Sequence, residues 1–166
     1  MTTLQPTVLT VGPRAPEVQL LDALAAGIDE AGLRAWVHAE AVFPDGPRTS
    51  RSYRYPYALL AWHTEPLGVD IERIEPFDGA FMESICTPSE RELLSDDAYP
   101  DAFLASLWSG KEALAKALGD ALRYDPRRLD SPALWPDGRA GPWRAAQLAL
   151  PAGHSGWLCW RSTLPS

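Results

Sequence analysis

The sequence predicts an α+β fold with mostly antiparallel strands, and three observations carry that prediction. Tyr57–Trp62 (Tyr-Ala-Leu-Leu-Ala-Trp) is an unbroken apolar run, the pattern of a strand buried on both faces. Leu67-Gly68-Val69-Asp70-Ile71-Glu72 alternates, with Leu67, Val69 and Ile71 on one face and Gly68, Asp70 and Glu72 on the other. From about Ala102 to Leu118, the residues Phe103, Leu104, Leu107, Leu114 and Leu118 recur at helical spacing. Strands gathered on both sides of helical material, without a regular strand–helix alternation, give α+β.

The other elements follow along the chain. Residues 1–16 are rich in Thr and Pro and hold one short strand at Thr7–Val11. Glu17–Ala26 reads as a short helix, with Val18, Leu21, Leu24 and Ala25 on one side and Gly27 as its stop. Ala35–Phe43 reads as a strand, and Pro44–Arg54 as a loop carrying Arg48, Arg51 and Arg54. Only His63-Thr64-Glu65-Pro66 separates the Tyr57–Trp62 and Leu67–Glu72 runs, which predicts an antiparallel hairpin. Thr87-Pro88-Ser89-Glu90 opens a helix: Thr87 is an N-cap, Pro88 takes the first helical position, and Glu90 closes a capping box. Gly119 ends the long helix. Asp125–Pro142 is a Pro-, Arg- and Gly-rich loop, and Trp143–Leu150 with Gly156–Arg161 form a closing hairpin.

The 166 residues suit a single compact unit, and 46% apolar content supports a real core. A formal net charge of −7 argues against broad binding to nucleic acid or to an anionic membrane. No apolar run approaches the roughly 20 residues that a membrane helix needs. Cys86 and Cys159 stand in unrelated contexts, so no disulfide framework is expected. With no secretory leader pattern at the start, the expectation is a cytoplasmic protein without membrane or nucleic-acid partners. His38, His63 and His154 share no motif with the acidic residues and are expected to be structural or at the surface.

Positive charge is almost entirely arginine, and the only two lysines lie together in Trp108-Ser109-Gly110-Lys111-Glu112-Ala113-Leu114-Ala115-Lys116. A lysine is a compact point charge, and arginine does not replace it in a tight phosphate site. Glu112 and Lys116 stand at i and i+4 on one helix face. Asp70 and Glu72 share a strand face. Three carboxylates from two elements, without His or Cys nearby, describe a hard-cation site of the kind Mg²⁺ takes with substrate phosphates. The same residues also describe a solvated strand face and a surface ion pair, and spacing alone does not choose between these readings.

Leu67–Glu72, followed about forty residues later by Leu107–Lys116, resembles the paired signature of the 4′-phosphopantetheinyl transferase superfamily. Thr87–Leu94 and the Tyr57–Trp62 strand resemble that family too, so residues 50–120 carry most of the likeness. The resemblance implies a 4′-phosphopantetheinyl transferase-like pseudo-dimer of two small α/β halves, here 1–66 and 67–166, with coenzyme A between them. It implies Mg²⁺ on Asp70, Glu72 and Glu112, catalytic parts for Glu112 and Lys116, and phosphate contacts from Lys116 and Lys111. The reaction implied is transfer of 4′-phosphopantetheine from coenzyme A to a serine of an acyl or peptidyl carrier protein. Two alternatives stand beside it: a degenerate member that binds carrier protein or coenzyme A without transfer, and a pathway enzyme running another reaction on a carrier-tethered substrate.

The chain also departs from the surfactin-type pattern of that family. Ser52-Tyr53-Arg54 stands where a Ser-His-Ser-like motif is usual, so Tyr53 replaces the histidine. Ser52 fits the pattern, and Arg51 or Arg54 can supply the missing phosphate-binding charge. Val42–Arg48 stands where a basic Gly-Lys-Pro-like segment is usual, and the N-terminal half is expected to be a shortened one.

Overall fold

The computed structural model describes residues 5–40, 48–94, 100–119, 121 and 123–163. Its described strands form two antiparallel four-stranded sheets. The first sheet has the order β1-β2-β4-β3, built from β1 (Thr7–Leu9), β2 (Glu17–Asp22), β3 (Arg48–Arg54) and β4 (Tyr57–His63). The second has the order β5-β8-β7-β6, built from β5 (Leu67–Arg73), β6 (Arg139–Ala140), β7 (Trp143–Gln147) and β8 (His154–Arg161). The described α-helices are α1 (Glu30–Glu40), α2 (Gly79–Ile85), α3 (Pro88–Leu94) and α4 (Asp101–Leu118).

The two face patterns of β4 and β5 organise the core. Leu59 and Ala61 of β4 meet Leu67, Val69 and Ile71 of β5 in one cluster, joined by Val18, Leu148 and Leu158. Ala58, on the other face of β4, packs with Leu21, Leu33 and Val37, so α1 covers the outside of the first sheet. α4 covers the outside of the second, where Ala113, Leu114 and Ala117 meet Trp157 and Cys159. Both cysteines are buried free thiols.

Gly68 sets how closely α4 can lie on β5. A Cβ at this position would stand 1.9 Å from the Ala113 carbonyl oxygen and 2.6 Å from the Ala117 nitrogen. Without that Cβ the helix backbone approaches the strand directly, and Asp70 and Glu72 face the same helix as Gly68.

The capping box of α3 is as the sequence predicts. Thr87 N–H donates to Glu90 Oε1 at 2.9 Å, and Glu90 N–H donates to Thr87 Oγ1 at 3.2 Å. The long helix and its left-handed Gly119 end are also as read; the first strand is present but stops at Leu9, and the closing hairpin is present with strands Trp143–Gln147 and His154–Arg161. The Asp125–Pro142 segment holds three short 3₁₀ turns and the small strand β6.

Four local readings are corrected. Glu17–Asp22 is strand β2 and not helix: it pairs with β1 on one side and β4 on the other, and Leu24 is 66% exposed. Ladder bonds on both sides outweigh a helical period read over ten residues. Residues 35–40 belong to helix α1 and not to a strand; Leu33 and Val37 supply its buried i,i+4 stripe. Residues 41–43 of that expectation lie outside the described residues. Arg48–Arg54 is strand β3 and not loop, with residues 44–47 outside the described residues. Its charged and hydroxyl residues are those of an edge strand. Finally, β4 and β5 do not pair as a hairpin. Both edges of β4 are already taken by β2 and β3, so the chain crosses at residues 64–66 into the other sheet, where β5 pairs with β8.

Candidate active site at the seam between the sheets

The edge strands β3 and β5 meet side by side, and the meeting is made by side chains. Ser50 Oγ accepts from the Val69 N–H at 3.0 Å, and Ser52 Oγ accepts from the Ile71 N–H at 3.2 Å. Two hydroxyls thus stand where a neighbouring strand would offer carbonyls, which satisfies the free edge of β5 without a continuous ladder. Lys116, arriving from α4, ties the same seam. Its Nζ donates to the Val69 carbonyl of β5 at 2.9 Å and to the Arg51 carbonyl of β3 at 3.1 Å.

A cleft of about 760 Å³ opens along this seam, within the ~300–1,000 Å³ common for small-molecule sites. Asp70, Glu72, Glu112, Lys116, Arg51, Ser52 and Arg54 all line it. The structure therefore brings together every sequence-predicted site residue except one. Lys111 does not join them. Its side chain is fully buried, and its Nζ meets the Glu90 carboxylate and the carbonyls of Ile85 and Pro126. The expected phosphate contact by Lys111 is corrected by helix geometry: at about 100° per residue, five positions carry Lys111 roughly 140° around α4 from Lys116.

The cleft carboxylates act on one another, with Glu72 and Asp70 as neighbours, and each also has partners of its own. Asp70 is 3% exposed, and its Oδ1 accepts from Ser52 Oγ at 3.3 Å and from Lys116 Nζ at 3.4 Å. Its Oδ2 is buried without a hydrogen-bond partner among the described residues. Burial pushes the Asp70 carboxyl up to about 8, against the pull of Lys116. Glu72 is held by Arg54, whose Nη2 donates to Oε1 at 3.1 Å and to Oε2 at 3.0 Å. Glu112 accepts from the Tyr124 hydroxyl. Burial also raises Glu112, while the hydrogen bond from Tyr124 lowers it. The Tyr124 hydroxyl is raised by burial and by the Glu112 carboxylate it serves.

The donor set fits a hard divalent cation in kind. It is all carboxylate oxygen, and the buried, unpartnered Oδ2 of Asp70 is the group that gains most from an added positive charge. The set is not preassembled: among the described residues no three His, Cys, Asp or Glu side chains already form a group able to hold a metal.

The altered Ser-Tyr-Arg segment lies on β3. Tyr53 Oη accepts from Arg34 Nε of α1 at 3.0 Å, and Tyr53 lines the cleft. Arg51 Nη1 donates to the Val37 and His38 carbonyls at 3.5 and 3.3 Å, which satisfies carbonyls near the end of α1. Tyr124 reaches the site through Glu112, and Trp108, His38, Glu30, Tyr55 and Arg73 are wall residues of the cleft. Sequence reasoning missed Tyr124 because it lies past the end of α4 with no pattern tying it to Glu112. It assigned His38 to a strand, whereas α1 carries that residue to the rim of the cleft.

The cleft thus gathers three carboxylates and a lysine at the seam between the two sheets of an α+β scaffold. The family model of the 4′-phosphopantetheinyl transferase superfamily matches residues 66–154, more than half of the chain, and the chain belongs to that superfamily. A curated relative, the 4′-phosphopantetheinyl transferase psf-1 of Bacillus pumilus, is 41% identical over 61 residues. That match covers 36% of this chain and 26% of the relative, so the chain spans about a quarter of the relative's length in the match. Among the described residues no helix is long and apolar enough to cross a membrane.

Proposed function

We propose that this chain transfers 4′-phosphopantetheine from coenzyme A to a serine of an acyl or peptidyl carrier protein. The observation that carries the reading is the convergence of Asp70, Glu72, Glu112 and Lys116 on one cleft in a chain of this superfamily. The two-sheet architecture supports a division into halves at 1–66 and 67–166, with coenzyme A along the seam. A cytoplasmic setting fits this chemistry, since free thiols and coenzyme A both belong to reducing compartments.

Asp70, Glu72 and Glu112 are the residues to hold Mg²⁺. When bound, the ion offsets charge on the pyrophosphate oxygens during transfer. Lys116 adds a fixed positive charge beside Asp70, and Arg51, Ser52 and Arg54 are the donors for the remaining phosphate oxygens. The carrier serine Oγ forms a bond to the β-phosphorus as the bond to the leaving adenosine 3′,5′-bisphosphate breaks. Glu112 takes the serine proton; its location in the cleft suits that task.

The test is the intact mass of an apo-carrier protein incubated with coenzyme A, Mg²⁺ and this chain. A gain equal to one phosphopantetheine group is expected. Glu112→Gln is expected to slow it by at least about 100-fold. No mass gain on any of several acyl and peptidyl carriers refutes the proposal, and tight coenzyme A binding without gain points to a binding member of the family instead.

A further inference from the structure

We infer that Arg54 is an internal counter-cation for Glu72 and must be withdrawn before Glu72 can serve a metal ion, so that cation binding and phosphate binding are coupled through this one side chain. The inference rests on the metal and coenzyme sites proposed above and adds a device to them.

Among the described residues, Glu72 is the cleft carboxylate with both oxygens taken by one cation. Arg54 Nη2 donates to both of them. Asp70 keeps one oxygen without a partner, and Glu112 is held by the neutral hydroxyl of Tyr124. A metal ion and a guanidinium carry like charge and cannot share the same carboxylate oxygens at full strength. The two partners differ in freedom. The Arg54 side chain is 43% exposed and the Glu72 side chain 12%, so Arg54 is the member able to leave. Arg54 sits at the end of β3, and the cleft beside it is lined by Arg51, Ser52 and Tyr53. An anion placed there offers the displaced guanidinium a new partner.

A polyphosphate ligand therefore does two things at once. It draws Arg54 away from Glu72 and frees the carboxylate for the cation. Mg²⁺ alone must displace Arg54 unaided and binds weakly. Coenzyme A strengthens Mg²⁺ binding, and by linkage Mg²⁺ strengthens coenzyme A binding by the same factor.

The experiment is calorimetric titration of the full chain with Mg²⁺, with and without coenzyme A, for the wild type, Arg54→Gln, Arg54→Ala and Arg73→Gln. Arg73 is the control: it lines the same cleft, but its guanidinium donates to the Tyr55 carbonyl. Arg54→Gln and Arg54→Ala are expected to bind Mg²⁺ alone roughly threefold to tenfold more tightly than wild type, the range set by one partly exposed charged pair. In both, the strengthening by coenzyme A is expected to shrink, and Arg73→Gln should behave as wild type. Unchanged or weaker Mg²⁺ binding in both Arg54 variants overturns the inference, as does equal tightening in Arg73→Gln, which would make it a general effect of charge. If wild type binds both ligands independently, the coupling is refuted while the proposed function survives. If it binds neither, both are refuted.

Discussion

The two lysines of α4 lie in neighbouring turns of one helix and live in opposite surroundings. Lys111 is sealed between α2, α3 and the first 3₁₀ turn, with Glu90 as its counter-charge. The other oxygen of Glu90 accepts from the Ser131 N–H at 2.9 Å, so the pair also anchors the loop that follows the helix. Lys116 reaches the seam between the sheets, a quarter exposed, and touches a carboxylate that still has an unpartnered oxygen. The first environment satisfies every group and leaves no room for a ligand. The second is incompletely satisfied and open to solvent. A buried, fully paired charge holds structure together, whereas a partly satisfied cluster in a cleft is where a ligand gains binding energy.

The largest test of this contrast is Lys111→Ala. It strands the buried Glu90 carboxylate and is expected to cost about 3–5 kcal/mol of stability in urea unfolding. The double variant Lys111→Met, Glu90→Leu should recover much of that loss; if the single variant unfolds at the wild-type urea concentration, the structural assignment of Lys111 is wrong. Next comes Lys116→Ala, expected to lower transfer to a carrier protein about 100-fold, equal to about 2.7 kcal/mol. Its folding loss should be smaller than that of Lys111→Ala, about 1–2 kcal/mol for the lost hydrogen bonds. Equal folding losses in the two lysine variants would erase the contrast.

Gly68→Ala probes the contact that holds α4 against the cleft. The added methyl meets the helix backbone, and a loss of about 1–3 kcal/mol in thermal or urea unfolding is expected, together with reduced activity. A fully active, equally stable variant would show that the close strand–helix approach is unnecessary. The smallest effect is assigned to Tyr124→Phe, which removes one hydrogen bond to Glu112, about 0.5–1.5 kcal/mol. Transfer should fall by roughly tenfold or less, and stability by no more than that energy; a wild-type rate would remove Tyr124 from the site.

Much of the second sheet and the long helix was legible in the residues themselves. The alternation of Leu67–Glu72, the capping box at Thr87–Glu90 and the left-handed Gly119 are local signals, and each reads the same in the fold. The N-terminal region misled because its signals are weak and its partners distant. β2 is a strand because β1 and β4 flank it, and β3 is a strand because β4 pairs with it; neither fact is local. The expected β4–β5 hairpin failed for the same reason, since proximity in the chain does not reveal that both edges of β4 are occupied.

By itself the sequence determined which of the candidate residues share a face. Asp70 and Glu72 had to share a face because strands repeat every two residues, and Glu112 and Lys116 had to share one because helices nearly repeat every four. Only the tertiary structure decided what those groups face. It turned Lys111 inward onto Glu90, set Arg54 on Glu72, brought Tyr124 to Glu112 and joined two sheet edges through the hydroxyls of Ser50 and Ser52. Periodicity along one element is a property of the local backbone. Contacts between elements depend on how whole surfaces pack, and no local pattern encodes that.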